Sequence, residues 1–360
     1  MVVHPNSSPS WQSFRQTFDQ QLTETLTKDC SQLPLQQDTF LQELFRHVQL
    51  LAQQGKRVRP FVASLAYEAA GGNTEQQPWT AWVGIELIHL FVLIHDDLID
   101  QGKLRHNAET VQTFVARRLQ ELERNGRHSR IADSQALLVG DMVHTWAMKH
   151  LAEAARESGT RARVSEILFQ LLEEVIIGQS LDVDLTSRSE QPYELIEQNM
   201  LLKTARYTFV RPMQLGAALS GTLSDELYRF CQEFGDSLGL AFQLQDDWFD
   251  LIASEQRTGK AGCRDLEEAH QTFFTCFIHK EGTSAQKERL SRLLGYPLNK
   301  EQQEEAYTLF TEVGAIKNGE RLIEKYFQDA ERVLNQANFL PEASTQAFQS
   351  LLTALKTRSA

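Results

Sequence analysis

The sequence is poor in the features that mark secreted and disulfide-rich proteins. It contains four cysteines, and none of them belongs to a C-x-x-C pair: Cys30, Cys231, Cys263 and Cys276. This spacing argues against a zinc site or a disulfide framework and indicates reduced thiols. Residues 1–20 lack a basic start followed by an apolar stretch, so we expect no signal peptide. The sequence therefore predicts a cytoplasmic protein.

Long hydrophobic runs and an excess of positive charge are also missing. The apolar run from Val83 to Ile94 is interrupted by Glu86 and His89 and is too short to cross a bilayer. The net charge of -12 argues against nucleic acid or an acidic membrane surface as a partner. We therefore predict neither a membrane span nor nucleic-acid binding.

Strand signals are nearly absent, and helical periodicity takes their place. Apolar residues recur at the spacing of one helix face along most of the chain. The hydrophobic fraction of 41% is enough for a sizeable core. Because composition does not divide the chain, we predict a disordered tail over residues 1–10 and one all-α domain over residues 11–360.

Two acidic motifs follow long apolar stretches. The pattern Asp-Asp-x-x-Asp occurs at residues 96–100 and again at residues 246–250. On a helix, Asp96 and Asp100 share a face, and the second motif repeats that geometry. Six such carboxylates repel one another unless a cation lies between them, and carboxylate oxygens suit Mg²⁺. A solvated helix end is the alternative for one motif, but two copies favour a site for magnesium carrying a diphosphate.

Basic residues precede a predicted helix start. Lys56, Arg57 and Arg59 cluster around Pro60, which suits the first turn of a helix. Free backbone N–H groups and the helix dipole also favour an anion at such a position. A solvated basic turn is the competing explanation.

Two further lysines gain meaning only from their surroundings. Lys203 and Thr204 are expected to end a helix, and Lys260 lies in the loop of residues 254–262, directly after the second acidic motif. A lone lysine is usually a surface residue, so neither marks a site by itself. A loop at this place could close over a ligand.

Together these motifs resemble those of the trans-isoprenyl diphosphate synthases, the polyprenyl synthetase family. The matches run in the family's order: Gly55-Lys-Arg-x-Arg-Pro60, His95-Asp-Asp-x-x-Asp100, Gly140-Asp141, Gly178-Gln-x-x-Asp182, Lys203-Thr204, Gly239-x-Ala-Phe-Gln-x-x-Asp-Asp-x-x-Asp250 and Thr258-Gly-Lys260. The resemblance implies an all-α fold. It would be a single large helical bundle of the isoprenoid synthase type, with two Asp-rich helices facing each other across a central cavity.

The resemblance also implies the reaction and its participants. Isopentenyl diphosphate would be condensed head-to-tail with an allylic diphosphate, in a homodimer that uses three Mg²⁺ ions. The metal would be held by Asp96, Asp97, Asp100, Asp246 and Asp250. Isopentenyl diphosphate would be held by Lys56, Arg59, His89 and His106. The allylic diphosphate would be held, and its departure assisted, by Arg105, Lys203, Thr204, Gln243 and Lys260.

Two cations that are usual in the family are histidines in this chain. His106 follows Arg105 where a second arginine is usual, and His270 follows Ala269 where Gly-Lys is usual. Since His106 would belong to the isopentenyl diphosphate site, that site is expected to be weaker or to depend on pH.

Product length is expected to depend on the residues that precede Asp96 on its helix. Val92, Ile88 and Gly84 lie on the same stripe, reaching ~18 Å below the acidic motif, and none of them is aromatic. Phe91 stands five residues before Asp96, where the family commonly has an aromatic that limits growth. We expect the C20 product geranylgeranyl diphosphate, with C15 farnesyl diphosphate as the next choice.

Two other functions remain open at this stage. A class I terpene cyclase shares the first acidic motif but needs no isopentenyl diphosphate site, so Lys56 and Arg59 argue against it. A non-catalytic subunit of a heteromeric synthase is supported only by His106 and His270.

Overall fold

Helices form nearly all of the computed structural model, which describes residues 9–34, 38–124, 126–188, 192–252 and 262–358. In chain order they are α1 (Pro9–Ser31), α2 (Thr39–Ala52), α3 (Val58–Ala69), α4 (Trp79–Ile99), α5 (Val111–Glu121), α6 (His128–Glu157), α7 (Arg161–Thr186), α8 (Tyr193–Asn199), α9 (Arg211–Leu219), α10 (Asp225–Ile252), α11 (Arg264–Glu267), α12 (Phe273–Glu281), α13 (Ser284–Leu293), α14 (Lys300–Val313), α15 (Ala315–Gln336) and α16 (Glu342–Lys356). A 3₁₀ turn, Thr74–Gln76, precedes α4. The predicted all-α fold is confirmed.

The irregular elements lie near the acidic motifs. A π-helical segment, Met200–Val210, joins α8 to α9 without a break. A small antiparallel hairpin, β1 (Leu104–Arg105) and β2 (Ala108–Glu109), follows the first motif. Within the described ranges, no helix is long and apolar enough to span a membrane.

The two helices that carry the acidic motifs are central to the packing. Helix α4 is apolar on all sides, as expected of a buried helix, and packs along α6. Helix α10 buries an apolar stripe between α15 and the π segment. The buried side chains accordingly form two clusters, one around α4 and α6 and one around α10 and the C-terminal helices.

Two glycines of the motifs bring helices close to the π segment. A Cβ atom at Gly178 of α7 would lie 2.7 Å from the backbone nitrogen of Lys203. A Cβ at Gly239 of α10 would lie 2.3 Å from the Cα of Ala205. Neither contact leaves room for a larger residue, so α7 and α10 hold the π segment between them.

One local prediction was wrong. Lys203 and Thr204 do not end a helix, because no glycine or asparagine follows to cap it and the wider π turns carry the chain on to α9. Between α11 and α12 the chain makes a turn in which Ala269 has φ +56°.

The predicted disordered tail, residues 1–10, falls mainly on residues 1–8, which lie outside the described residues, and α1 begins at Pro9. Lys260 and most of the predicted loop 254–262 also lie outside them.

Candidate active site

The two acidic motifs line one open cleft. Their aspartates face each other across it: Asp96, Asp97 and Asp100 from α4, and Asp246, Asp247 and Asp250 from α10. The remaining polar residues of the cleft are Arg105, Lys203, Gln243, Arg264, Asp265, Glu268 and His270. The expectation that the two Asp-rich helices face each other is therefore confirmed.

Burial and mutual repulsion favour the protonated forms of these carboxyls. Burial, aided by the charge of Asp96, raises the pKa of Asp100 to about 6. Burial also raises the pKa of Asp246 and, together with the charge of Asp265, raises the pKa of Asp250. A divalent cation in the cleft would reverse this effect, because it stabilises the ionised carboxylates.

Two basic side chains reach Asp96 from different elements. The Nη2 of Arg105, in the hairpin, donates to Asp97 Oδ1 at 2.6 Å and lies 3.4 Å from Asp96 Oδ2. The Nζ of Lys203 donates to Asp182 Oδ2 at 2.6 Å and lies 3.5 Å from Asp96 Oδ1. Both cations are thus fixed at the rim of the cleft, where an anionic ligand could meet them.

A chain of hydrogen bonds links the π segment to the second acidic motif. Thr204 Oγ1 donates to Gln243 Oε1 at 2.6 Å, and Gln243 Nε2 donates to Asp247 Oδ1 at 2.7 Å. On the other side, Asn199 Nδ2 donates to Asp182 Oδ1 at 2.7 Å. The first two bonds orient Gln243 and Asp247 in the cleft. The third holds Asp182, which in turn fixes the ammonium of Lys203.

A second cavity adjoins the acidic cleft and shares Asp97 and Arg105 with it. Gly55, His89 and His106 also line this cavity. Burial, with the charges of Arg105 and Lys56, lowers the pKa of His106, so its imidazole is neutral near pH 7.

The basic cluster before α3 divides into residues with different surroundings. Arg57 points inward: its guanidinium is buried and pairs with Glu86 at 2.8 Å and Asp19 at 2.7 Å. Arg59 instead lies with its guanidinium 4.3 Å from the ring centre of Tyr207. Its Nη2 also donates to Thr208 Oγ1 at 2.8 Å. Arg57 therefore stabilises the turn, while Arg59 is held toward the π segment.

The Tyr207 hydroxyl also reaches His89, whose Nδ1 lies 3.2 Å away. Tyr207 thereby connects the cationic side chain of Arg59 with a residue of the second cavity. Arg59 and His89, which were predicted to bind the same ligand, thus both contact Tyr207, a residue that the sequence did not single out.

The predicted length-determining residues lie deeper on α4. Ile88 is buried, and Val92 and Phe91 are partly buried. The ring of Phe91 lies against α6, where its centre is 4.9 Å from the ring centre of His144. On its own helix, α4, it lies 4.8 Å from the ring centre of His95.

The family model for polyprenyl synthetase matches residues 39–312 of this chain. The chain belongs to the polyprenyl synthetase family. It is 28% identical to the geranylgeranyl diphosphate synthase of Methanosarcina mazei over 303 residues, which cover 84% of this chain and 86% of the relative. It is 29% identical to a geranylfarnesyl diphosphate synthase of Natronomonas pharaonis over 266 residues, which cover 70% of this chain and 72% of that one.

Among solved structures, this prenyltransferase resembles a geranylgeranyl pyrophosphate synthase from Corynebacterium glutamicum complexed with isoprenyl diphosphate and magnesium. The TM-score is 0.88 at 25% identity, covering 96% of this chain and 99% of the other. The chain is therefore an enzyme, and the family resemblance predicted from its motifs is confirmed.

The donor set of this synthase fits Mg²⁺, on which the family depends. Its facing carboxylates supply the hard oxygen ligands that Mg²⁺ requires. One carboxylate oxygen, Asp96 Oδ1, is buried and accepts no hydrogen bond from the described residues, with the Lys203 ammonium 3.5 Å away, so it is free to ligate a metal ion.

One contact of the synthase was missed at the sequence level. Arg358, beyond the end of α16, places its Nη1 2.8 Å from Asp246 Oδ1, and its guanidinium lies 4.0 Å from the ring centre of Phe242. A contact across more than a hundred residues leaves no periodic signal in a sequence. Arg358 acts as a counter-charge for an aspartate of the second motif.

The raised pKa of Asp100 predicts that the metal-free enzyme loses stability as pH rises. An unfolded aspartate titrates near 3.9, whereas the folded value for Asp100 is about 6. Between the two, the folded state holds a proton that the unfolded state has lost, so the free energy of unfolding falls with rising pH. In EDTA, Asp100→Asn should remove part of the fall in melting temperature between about pH 4 and about pH 6.

The control for this measurement is Asp225→Asn, an exposed aspartate at the opposite end of α10. It should keep the wild-type pH slope. Equal slopes in Asp100→Asn and the wild type would contradict the raised pKa.

Proposed function

We propose that this enzyme condenses isopentenyl diphosphate with an allylic diphosphate and releases geranylgeranyl diphosphate (C20), with farnesyl diphosphate (C15) as the second choice. The observation that carries this proposal is the pair of adjoining cavities. One is lined by facing aspartates with cations at its rim, and the other has Gly55, His89, Arg105 and His106 in its wall. The proposed reaction uses two diphosphate substrates, and each of them needs a binding site of its own.

The carboxylates of the cleft are proposed to hold three Mg²⁺ ions. The residues assigned to this role are Asp96, Asp97, Asp100, Asp246 and Asp250. When bound, Mg²⁺ neutralises the diphosphate and stabilises the charge that develops as it leaves. Asp97 and Asp246 are already paired with Arg105 and Arg358, so binding requires these contacts to rearrange or to share an oxygen.

The allylic diphosphate is assigned to the rim of the acidic cleft. Burial opposes a charge on Lys203, but Asp182 and Asp96 raise its pKa, so the ammonium stays charged beside the leaving group. Arg105 supplies a second fixed cation, and the Thr204 hydroxyl is oriented by Gln243. Lys260 is assigned to the same diphosphate on the strength of the family motif alone.

Isopentenyl diphosphate is assigned to the adjoining cavity, with Lys56, Arg59, His89 and His106 as its partners. Leu90 and Leu93 also line this cavity, and such an apolar wall keeps water from the allylic cation. The double bond of isopentenyl diphosphate attacks the cation that forms across the shared boundary. The released diphosphate is the proton acceptor in this proposal.

Aspartates of both motifs should be needed for turnover. Asp96→Ala and Asp246→Ala are expected to lower kcat by at least roughly 10²-fold, because each removes charge stabilisation from the leaving group. Purified protein is incubated with Mg²⁺, isopentenyl diphosphate and each allylic primer, and product is quantified. Circular dichroism checks that both variants remain folded.

Asp225→Ala is the matched control, because it lies on α10 about 30 Å from the second motif at the helical rise. Near-normal rates in Asp96→Ala or Asp246→Ala would contradict the assignment of these aspartates to the magnesium site. The same assay separates the alternatives: a terpene cyclase consumes the allylic substrate without isopentenyl diphosphate, and a non-catalytic subunit consumes neither.

Phe91 is proposed to limit product length, aided by Val92 and Ile88. Its ring fills space between α4 and α6, so its removal opens room for a longer chain. Phe91→Ala should shift the product distribution toward C25 and longer, as measured by chromatography of the dephosphorylated products. Phe339→Ala, at an exposed phenylalanine elsewhere, should leave it unchanged. An unaltered distribution in Phe91→Ala would remove Phe91 from this role.

The enzyme is proposed to work as a cytoplasmic homodimer that pairs through α6 and α7. Large apolar side chains are exposed along these two helices: Leu137, Leu138, Phe169, Ile176, Ile177 and Val183. A second copy of the chain would remove this surface from water, which is the main driving force for association.

Ile176→Asp should therefore yield a monomer, because it would bury a charge in the pairing surface. Light scattering coupled to size-exclusion chromatography measures the mass. Tyr296→Asp, at an exposed apolar residue remote in sequence from α6 and α7, is the control and should stay dimeric. A dimer that persists unchanged in Ile176→Asp would place the interface elsewhere.

A further inference from the structure

A histidine joins two carboxylates at one edge of the acidic cleft. Asp100 directly follows α4, and Glu268 and His270 follow α11. One ligand atom from each of these residues lies within 4.8 Å of the others. All three side chains line the same cleft. Neither Glu268 nor His270 belongs to the ligand set assigned above.

The turn that carries His270 is well defined. The backbone nitrogen of His270 donates to the carbonyl of Asp265 at 2.7 Å, and Gly295 donates to that of Leu266 at 2.9 Å. Ala269 takes φ +56°, a left-handed conformation that costs an alanine roughly 1 kcal/mol or more. The surrounding packing thus maintains a strained residue, and the result is that His270 lines the cleft.

The spacing around the imidazole suits a shared cation. His270 Nδ1 lies 3.8 Å from Glu268 Oε2 and 3.7 Å from Asp265 Oδ1. Both distances are too long for a hydrogen bond. They are close to the separation of about 3 to 3.5 Å between two ligands that each lie about 2.1 Å from one metal ion.

We propose that His270, with Asp100 and Glu268, forms a mixed nitrogen and oxygen site that prefers a first-row transition metal such as Co²⁺ to Mg²⁺. Mg²⁺ binds oxygen ligands and keeps several waters, whereas imidazole favours the later divalent metals. The site deepens the proposed function, on which it rests only through the use of Asp100. It would give this enzyme a metal preference different from that of an all-carboxylate cleft.

The rival role for His270 is that of a cation that contacts diphosphate, as the lysine usual at this position would. The two roles differ in what a lysine can replace. A charged lysine restores an anion contact, but it cannot ligate a metal while protonated. His270→Lys and His270→Gln therefore separate the roles.

Co²⁺ and Mg²⁺ are titrated separately into the metal-stripped full-length enzyme, without any diphosphate, by calorimetry and visible absorption. Even the loss of a residue that only hydrogen-bonds to a metal ligand lowers metal affinity by at least roughly tenfold. We therefore expect both His270 variants to bind Co²⁺ at least about tenfold more weakly, with the affinity for Mg²⁺ changed by less than about twofold. His128→Gln, at a half-buried histidine that starts α6, should behave like the wild type.

Equal Co²⁺ affinity in the wild type and His270→Gln overturns the proposal, as does unchanged Co²⁺ binding in His270→Lys. Pulsed electron paramagnetic resonance on the Mn²⁺-loaded wild type, labelled with ¹⁵N-histidine, needs no variant to fold. A nitrogen coupling there supports the site, and its absence refutes it. Because no substrate is present, a failure of prenyl transfer would not change these results.

Discussion

Mutual repulsion among the carboxylates of the cleft is the constraint on which the rest of the site depends. Burial and neighbouring charges hold the pKa values of Asp100, Asp246 and Asp250 above their usual range. The chain offsets part of this cost with side chains from distant elements. Arg105 and Lys203 each pair with two carboxylates, one of which is Asp96 in both cases, and Arg358 pairs with Asp246. The pKa values of the three aspartates stay raised in spite of these pairs, so a preference for a divalent cation remains.

The π segment determines where one of those cations lies. Gly178 and Gly239 let α7 and α10 approach it so closely that its backbone has little freedom. Its early residues present Lys203 to the acidic cleft, and its later residues Tyr207 and Thr208 hold Arg59. This irregular helix lines the acidic cleft with Lys203 and contacts His89 of the second cavity through Tyr207, which is consistent with the frequent occurrence of π-helices at functional sites.

The features that could be predicted from the sequence are those with a local signal. Helical periodicity and the four-residue spacing of Asp96 and Asp100 depend only on helix geometry, and both predictions hold. The inward turn of Arg57 toward Glu86 and the contact of Arg358 with Asp246 depend on long-range packing, which leaves no pattern in the sequence. The continuous helix through residue 204 was missed for a related reason, since its π turns are stabilised by neighbouring helices and not by their own propensities.

The two histidines that stand where the family usually has a cation have opposite pKa shifts, because their surroundings differ. At His106, burial acts together with Arg105 and Lys56, and the pKa falls, so the imidazole is neutral near pH 7. At His270, burial is outweighed by Asp265 and Asp182, and the pKa rises to about 9. A histidine in place of the usual cation thus removes a charge at the second cavity and keeps one at the acidic cleft. A metal ion that binds His270 near neutral pH must displace a proton, so the negative field that holds this proton is also what would attract the metal.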